Sequence, residues 1–408
     1  MKLDASHSQS FYAFGSERLL TLCRGLGLNE QREQEALKLL SRFLMRWGGS
    51  TIGRAPRWGS DITDDHSPFE FSVAMDGREP ELRLLVEAQA QRPGLLANWE
   101  AGRALSNALA EEFGMSLDRL KAIEHLFAPT DPKAKFSIWH AVSLRADSAP
   151  EVKIYLNPQA QGRGNSGHIV ARALTLLGFP NAVVPRSERS LDEVKYISLD
   201  MSNRTDARIK LYAAHHDATG SDIEAALRPA SYYVNGEAAD FCLHMAGQEG
   251  PYTNLPVQTC LAYAANREAP LMGTVHFPVR SYAPNDEIVR DRILEDLGEP
   301  TAQLYRNALD SFSNRPLDEG VGMQTYASLR QQEGGSRVTV YLSPELYSID
   351  DASEMPMSLS PTSSAPISRI TLLHGVEPCP VSVGPASGIM SSDGLQKFRG
   401  VISKSGTG

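Results

Sequence analysis

The chain has 408 residues, enough for one large domain or two ordinary ones. Its 41% hydrophobic and 22% charged residues fit a soluble globular protein, and a formal net charge of −9 argues against a general nucleic-acid binder. No run of about 18 apolar residues is present, which argues against a membrane span; the four cysteines (Cys23, Cys242, Cys260 and Cys379) form no CxxC pair and follow no secretory signal, which points to a reducing cytoplasm rather than a disulfide framework.

Glu17 to Trp47 is predicted to form two helices, broken near Gly25-Leu26-Gly27. A Gly/Arg-rich loop follows, then strands over 69–75 and 81–87 joined by an Asp76-Gly77 turn. The same order recurs. Helices are expected over 95–113 and 116–127 and strands over 136–145 and 151–157; then a helix over 166–177 and strands over 194–200 and 207–213. Helical stretches between Ser221 and Arg267 precede strands near 273–282. Helices over 286–297 and 301–313 precede strands over 323–330 and 337–343. After about Asp350 the composition turns rich in Ser, Pro and Gly, so residues 1–350 are expected to be a single domain and 351–408 a loose tail.

The strands share a pattern. Val152-Lys153-Ile154-Tyr155-Leu156, Arg208-Ile209-Lys210-Leu211-Tyr212, Val279-Arg280-Ser281-Tyr282 and Arg337-Val338-Thr339-Val340-Tyr341 alternate aliphatic residues with cations and tyrosines. Residues two apart on a strand point the same way. One face therefore carries Phe69, Phe71, Val73, Leu82, Leu84, Ile154, Ile209, Leu211, Val275, Phe277, Val338 and Val340. The other carries Glu70, Arg83, Lys153, Tyr155, Arg208, Lys210, Tyr212, His276, Arg280, Tyr282, Gln324, Tyr326, Arg330 and Tyr341. An open sheet would leave this second face in solvent. Closing about ten strands into a barrel ringed by helices makes it a polar lumen, wide enough for small ligands.

In its strand Ser67-Pro68-Phe69-Glu70-Phe71-Ser72, its K-x-Y and R-x-K-x-Y strands, and Phe277-Pro278-Val279-Arg280-Ser281-Tyr282 followed by Asn285-Asp286, the chain resembles the ABBA-type aromatic prenyltransferases, in the dimethylallyltryptophan synthase branch. The resemblance implies an α+β fold: a ten-stranded antiparallel β-barrel built from ααββ repeats. It implies transfer of a dimethylallyl group from dimethylallyl diphosphate to an indole, with L-tryptophan the leading acceptor and another indole, a phenol or a longer donor as alternatives. By the same resemblance Glu70 accepts from the indole N–H, Arg83, Lys153, Arg208 and Lys210 hold the diphosphate with Arg280 beside them, and Tyr155, Tyr212, Tyr282, Tyr326 and Tyr341 shield the allyl cation. The family's lysine base has no clear counterpart. By offset it falls near His140, which strand alternation turns away from the lumen, with Trp139 turned in.

Five inward cations exceed what one diphosphate needs, so no cofactor is expected and Mg²⁺ is not required. Stabilising the leaving group by fixed cations in a dry site is the largest service such a protein renders, and tyrosine faces attract cations. Other motifs weigh less. Gly162-Arg163-Gly164-Asn165-Ser166-Gly167 matches GxGxxG but sits in no βαβ pattern. His215-His216-Asp217 and Cys242-Leu243-His244 lack partners at ligand spacing, and Asp350-Asp351 lies at the edge of the tail. A non-catalytic barrel that binds an anionic metabolite needs the cations but not Glu70; a phosphatase-like hydrolase needs a positioned water or metal.

Overall fold

Ten antiparallel strands close on themselves: β1 (Phe69–Met75), β2 (Glu81–Val86), β3 (Ile138–Leu144), β4 (Glu151–Leu156), β5 (Glu193–Asp200), β6 (Ile209–His215), β7 (Val257–Tyr263), β8 (Met272–Phe277), β9 (Gln324–Gln332) and β10 (Gly335–Leu342). The structure is a computed structural model describing residues 8–75, 79–182, 192–264, 267 and 269–347, all within one unit, Met1–Pro356. Each strand pairs with its sequence neighbours, and β1 pairs with β10 to seal the barrel, Phe71 opposite Leu342 and Met75 opposite Val338. The expected Asp76-Gly77 turn and the stretch after Tyr347, with its expected tail, fall outside the described residues.

Among those residues nine α-helices accompany the barrel: α1 (Phe11–Gly25), α2 (Glu30–Leu44), α3 (Leu95–Phe113), α4 (Asp118–Ile123), α5 (Ser166–Leu176), α6 (Gly220–Leu227), α7 (Glu237–Ala246), α8 (Asp286–Glu295) and α9 (Thr301–Phe312). Local chemistry sets their starts. The Ser10, Asn29, Thr219 and Asn285 side chains accept from backbone N–H groups that have no partner inside their helices. The aliphatic strand faces pack outward against these helices. Phe69, Phe71, Leu82, Ile154, Ile209, Leu211, Val275 and Phe277 are buried in one core cluster with helix residues such as Leu39, Phe43 and Leu309. Helix α3 comes so close to β3 that a Cβ on Gly102 would lie 2.3 Å from Ile138 Cγ2. One turn later, Ser106 Oγ sits 2.8 Å from His140 Nε2. His140 thus belongs to the helix-facing layer, as alternation indicates.

Three expectations need correction. Strand β7 lies inside the stretch read as helical. The strand read as continuing to Tyr282 ends at Phe277: after Pro278, Val279–Ser281 form a single 3₁₀ turn. Gln324 does not face the lumen. The register shifts between Tyr341, opposite Tyr326, and Leu342, opposite Gln324. The resulting bulge turns Gln324 outward, where it bonds the Asp286 backbone carbonyl (2.6 Å) and the Tyr305 hydroxyl.

Candidate active site

The lumen has an axial order set by strand parity. Even strands run cation first and tyrosine second: Lys153 then Tyr155, Lys210 then Tyr212, Arg337 then Tyr341. On β9, which runs the other way, Tyr326 comes before Arg330. Antiparallel pairing therefore gathers the cations at one end and the tyrosines in the middle. Glu70, at the start of β1 and two residues before the Ser72–Tyr341 pair, lies beyond the tyrosines.

At the cationic end Glu81, 1% exposed, receives Arg83, Arg145 and Arg337, the last at 3.1 Å. Lys153 is buried and donates to Ser143 Oγ at 3.2 Å. Burial, then the charge of Arg208, drives its pKa down to about 8. Lys210 is driven well below the usual lysine range by burial, Arg208, Lys153 and Arg330. Arg330 is lowered to about 9 by burial beside Arg83, Arg337 and Arg208, and its Nε has no hydrogen-bond partner among the described residues. Such a crowd of buried, mutually repelling cations has the charge to hold an anion. Arg208 shares their parity, but Asp200 (2.8 Å) and Glu151 (3.4 Å) hold its guanidinium at the rim.

The cations border a narrow cavity of about 40 Å³, lined by Arg83, Lys153, Lys210 and Arg330 and by Tyr155, Tyr212, Tyr341, His276 and Cys260. The rings form a continuous band. Centroid separations are 5.8 Å for Tyr155–Tyr212, 5.7 Å for Tyr196–Tyr212, Tyr212–His276 and His276–Tyr341, and 6.4 Å for Tyr326–Tyr341. Trp139 faces inward and joins the band through Tyr196 at 5.4 Å.

Glu70 is 6% exposed, and its Oε2 accepts from Thr325 Oγ1 at 3.1 Å. Thr325 reaches it because it is the extra residue of the β9 bulge. Burial pushes the Glu70 carboxyl up to about 8, against the opposing pull of Thr325 and Arg280.

Two expected site residues stand elsewhere. Arg280, expected among the diphosphate ligands, lies at the Glu70 end. It pairs with Asp64, donates to the Thr325 carbonyl (3.1 Å) and covers the Tyr326 ring at 4.7 Å. Tyr282, expected in the tyrosine band, packs outside it against Tyr252 and Phe277; its hydroxyl accepts from Asn254 N (3.0 Å) and donates to the Leu255 carbonyl (3.2 Å). Both follow from the end of β8 at Pro278, past which two-residue alternation no longer applies. In the sequence Arg330 and His276 carry only a face, Arg337 only a place in the cation–tyrosine strand pattern, and Glu81 no role at all. Thr325 had no signal, because a bulge is invisible to parity.

The remaining motifs are structural here. Arg163–Asn165 form a 3₁₀ turn leading into α5, and the flanking β4 and β5 pair antiparallel. His215 bridges Asp192 (2.7 Å) and Thr259 (2.8 Å) on the outer face. No group of three His, Cys, Asp or Glu able to hold a metal occurs among the described residues, and no helix among them is long and apolar enough to cross a membrane.

Comparison with known proteins gives a consistent picture. The family model for tryptophan dimethylallyltransferase matches residues 17–228. The crystal structure of 6-dimethylallyltryptophan synthase from Micromonospora olivasterospora in complex with DMASPP and Trp is 30% identical, covers 84% of this chain and 99% of its own, and superposes with a TM-score of 0.76. The ternary complex of prenyltransferase PriB with L-tryptophan and dimethylallyl thiolodiphosphate is 31% identical over 83% of this chain and 97% of that one, with a TM-score of 0.76. The 5-dimethylallyltryptophan synthase from Streptomyces coelicolor is 28% identical over 84% and 99%, with a TM-score of 0.77.

Proposed function

The chain belongs to the tryptophan dimethylallyltransferase family, and from that membership we propose that it transfers a dimethylallyl group from dimethylallyl diphosphate to the indole ring of L-tryptophan. It is an aromatic prenyltransferase built on the ten-stranded prenyltransferase barrel. The observation that carries the reading is the axial order of the lumen: cations, then aromatic rings, then a buried carboxylate.

Each layer has a task in the reaction. Arg83, Lys153, Lys210 and Arg330 receive the charge that gathers on the diphosphate as the allylic C–O bond breaks, its electron pair leaving with oxygen. Arg208, released from Asp200, reinforces them from the rim. Tyr155, Tyr212, Tyr326 and Tyr341 surround the allyl cation, each attracting it by roughly 0.5–2 kcal/mol, and keep water away. Glu70 accepts from the indole N–H, orients the ring and feeds electron density into it as the ring π pair forms the new C–C bond. Loss of the ring proton restores aromaticity. Incubation with dimethylallyl diphosphate and L-tryptophan should give dimethylallyltryptophan and diphosphate in equal amounts. No turnover, or prenyl alcohol alone, would reject the reading in favour of a binding protein or a hydrolase.

Two further outcomes are expected. Turnover persists in excess EDTA, because the cations outnumber the carboxylates Glu81, Asp200 and Glu151 that face them; loss in EDTA that Mg²⁺ restores would defeat the all-protein diphosphate site. A chain truncated after Asp350 keeps most of its activity, because the last strand among the described residues ends at Leu342; a folded but inactive truncation would make the C-terminal segment part of the site. The cytoplasm, where buried Cys23, Cys242 and Cys260 stay reduced, is the compartment this reading favours.

A further inference from the structure

After the C–C bond forms, the alkylated ring carbon holds a proton that some group must take. The lumen offers few candidates. Burial pushes Tyr155, Tyr212 and Tyr341 upward, so their hydroxyls stay neutral and weakly basic. Lys153 and Lys210 belong to the anion end, and Glu70 is committed to the indole N–H. His140 lies behind the sheet against Ser106.

His276 differs from all of these. It lies on β8, paired with Ser328 on one side and Gln258 on the other, and it lines the central cavity between the Tyr212 and Tyr341 rings. Its Nδ1 lies 3.3 Å from the Tyr341 hydroxyl. Among the described residues its ring has no other hydrogen-bond partner, so Nε2 is the nitrogen left to take a proton.

We propose that His276 is the catalytic base, its Nε2 taking the proton from the alkylated indole carbon while Tyr341 holds Nδ1. The inference rests on the transferase reading above. The C–H electron pair returns to the ring, the proton goes to Nε2, and the imidazolium passes it to the departing diphosphate. The electrostatics keep the imidazole neutral but weakly basic while the site is empty. Burial, with Lys210 and Arg83 nearby, keeps the imidazole in its neutral, proton-accepting form, its pKa driven down to about 3. Bound diphosphate offsets those two cations, so the imidazolium forms beside an anion that stabilises it.

The test compares L-tryptophan with its indole-ring-deuterated form. In the wild type, proton loss follows a slower ionisation and the isotope effect stays near unity. In His276→Gln, kcat should fall about 10²–10⁴-fold, as expected for loss of a general base. A primary isotope effect should emerge, donor KM should stay unchanged, and imidazole should partly rescue His276→Ala. Tyr341→Phe leaves residue 276 intact and should raise the isotope effect by loosening Nδ1, which tests the proposal if the His276 variants do not fold. A His276→Gln enzyme that keeps its kcat, or loses it with an isotope effect still near unity, overturns the proposal and leaves the diphosphate as the proton acceptor. A wild type that makes no dimethylallyltryptophan fails at the earlier step and removes the transferase reading itself.

Discussion

Glu70→Ala is expected to lower kcat/KM for L-tryptophan by about 10²–10³-fold, the range for removing one preorganised electrostatic partner. Glu70→Gln, which keeps the size and one acceptor but not the charge, should cost less. Donor binding should change little in either, because the cationic end is untouched; some prenyl alcohol should appear as the unguided cation meets water. Steady-state kinetics with diphosphate and product counted separately checks all three, and wild-type prenylation by Glu70→Ala would mean that the acceptor is held some other way. The carboxyl also sets a pH limb. With its pKa near 8 in the empty site, Glu70 is mostly protonated below that pH, so kcat/KM for tryptophan should rise as pH climbs toward 8, level off above it, and lose this limb in Glu70→Gln. Stability runs the opposite way. Because the folded pKa lies above the unfolded value of about 4.3, the native state holds a proton that the unfolded chain has lost. The stability this confers is complete below about pH 4 and disappears as pH rises through 8. Glu70→Gln should therefore stabilise the ligand-free enzyme at pH 8 and above by a few kcal/mol and change little at pH 4, which thermal unfolding at both pH values measures.

Lys210→Ala is expected to lower kcat/KM for the donor by about 10²-fold, and Arg208→Ala by less, since Asp200 and Glu151 already engage the Arg208 guanidinium. Near-wild-type kinetics in Lys210→Ala would put the diphosphate elsewhere. The same crowding predicts proton uptake. Lys153 (pKa about 8), Lys210 (well below normal) and Arg330 (about 9) are each depressed in the empty site. A diphosphate restores their charge, so above about pH 8 donor binding must draw in protons, and affinity should weaken as pH rises further. Calorimetric titration in buffers of different ionisation enthalpy reads this directly. Binding with no proton exchange at pH 8.5 would contradict the assignment.

Sequence alternation put side chains on the correct face wherever a strand stayed regular. Lys153 with Tyr155 and Lys210 with Tyr212 share a face because nothing interrupts β4 or β6. The same rule failed at two irregularities: the bulge that turns Gln324 out and brings Thr325 to Glu70, and Pro278, which ends β8, takes Arg280 to the Glu70 end and leaves Tyr282 outside the ring band. Strand β7 is illegible in the sequence for another reason. Its interior residues Gln258, Cys260 and Ala262 carry none of the charges or rings that mark the other strands, and the helices before it made a longer helical stretch plausible. The Arg330 and Glu81 contributions were illegible because a buried cation's partners come from other strands, and strand order, not sequence spacing, decides which they are.

The β1–β10 seam has a consequence for synthesis. Glu70 and the Thr325 that holds it are 255 residues apart, so at about 5–20 residues per second Glu70 waits roughly 13–50 s on the ribosome for its partner. Until β10 emerges, β1 and the newest strand are open edges, the kind that pair with other chains. The unclosed sheet has no lumen and cannot exclude water. Activity therefore arrives in one step with the final strand, and a nonsense codon anywhere before Leu342 should abolish catalysis completely instead of lowering it in proportion to the strands lost.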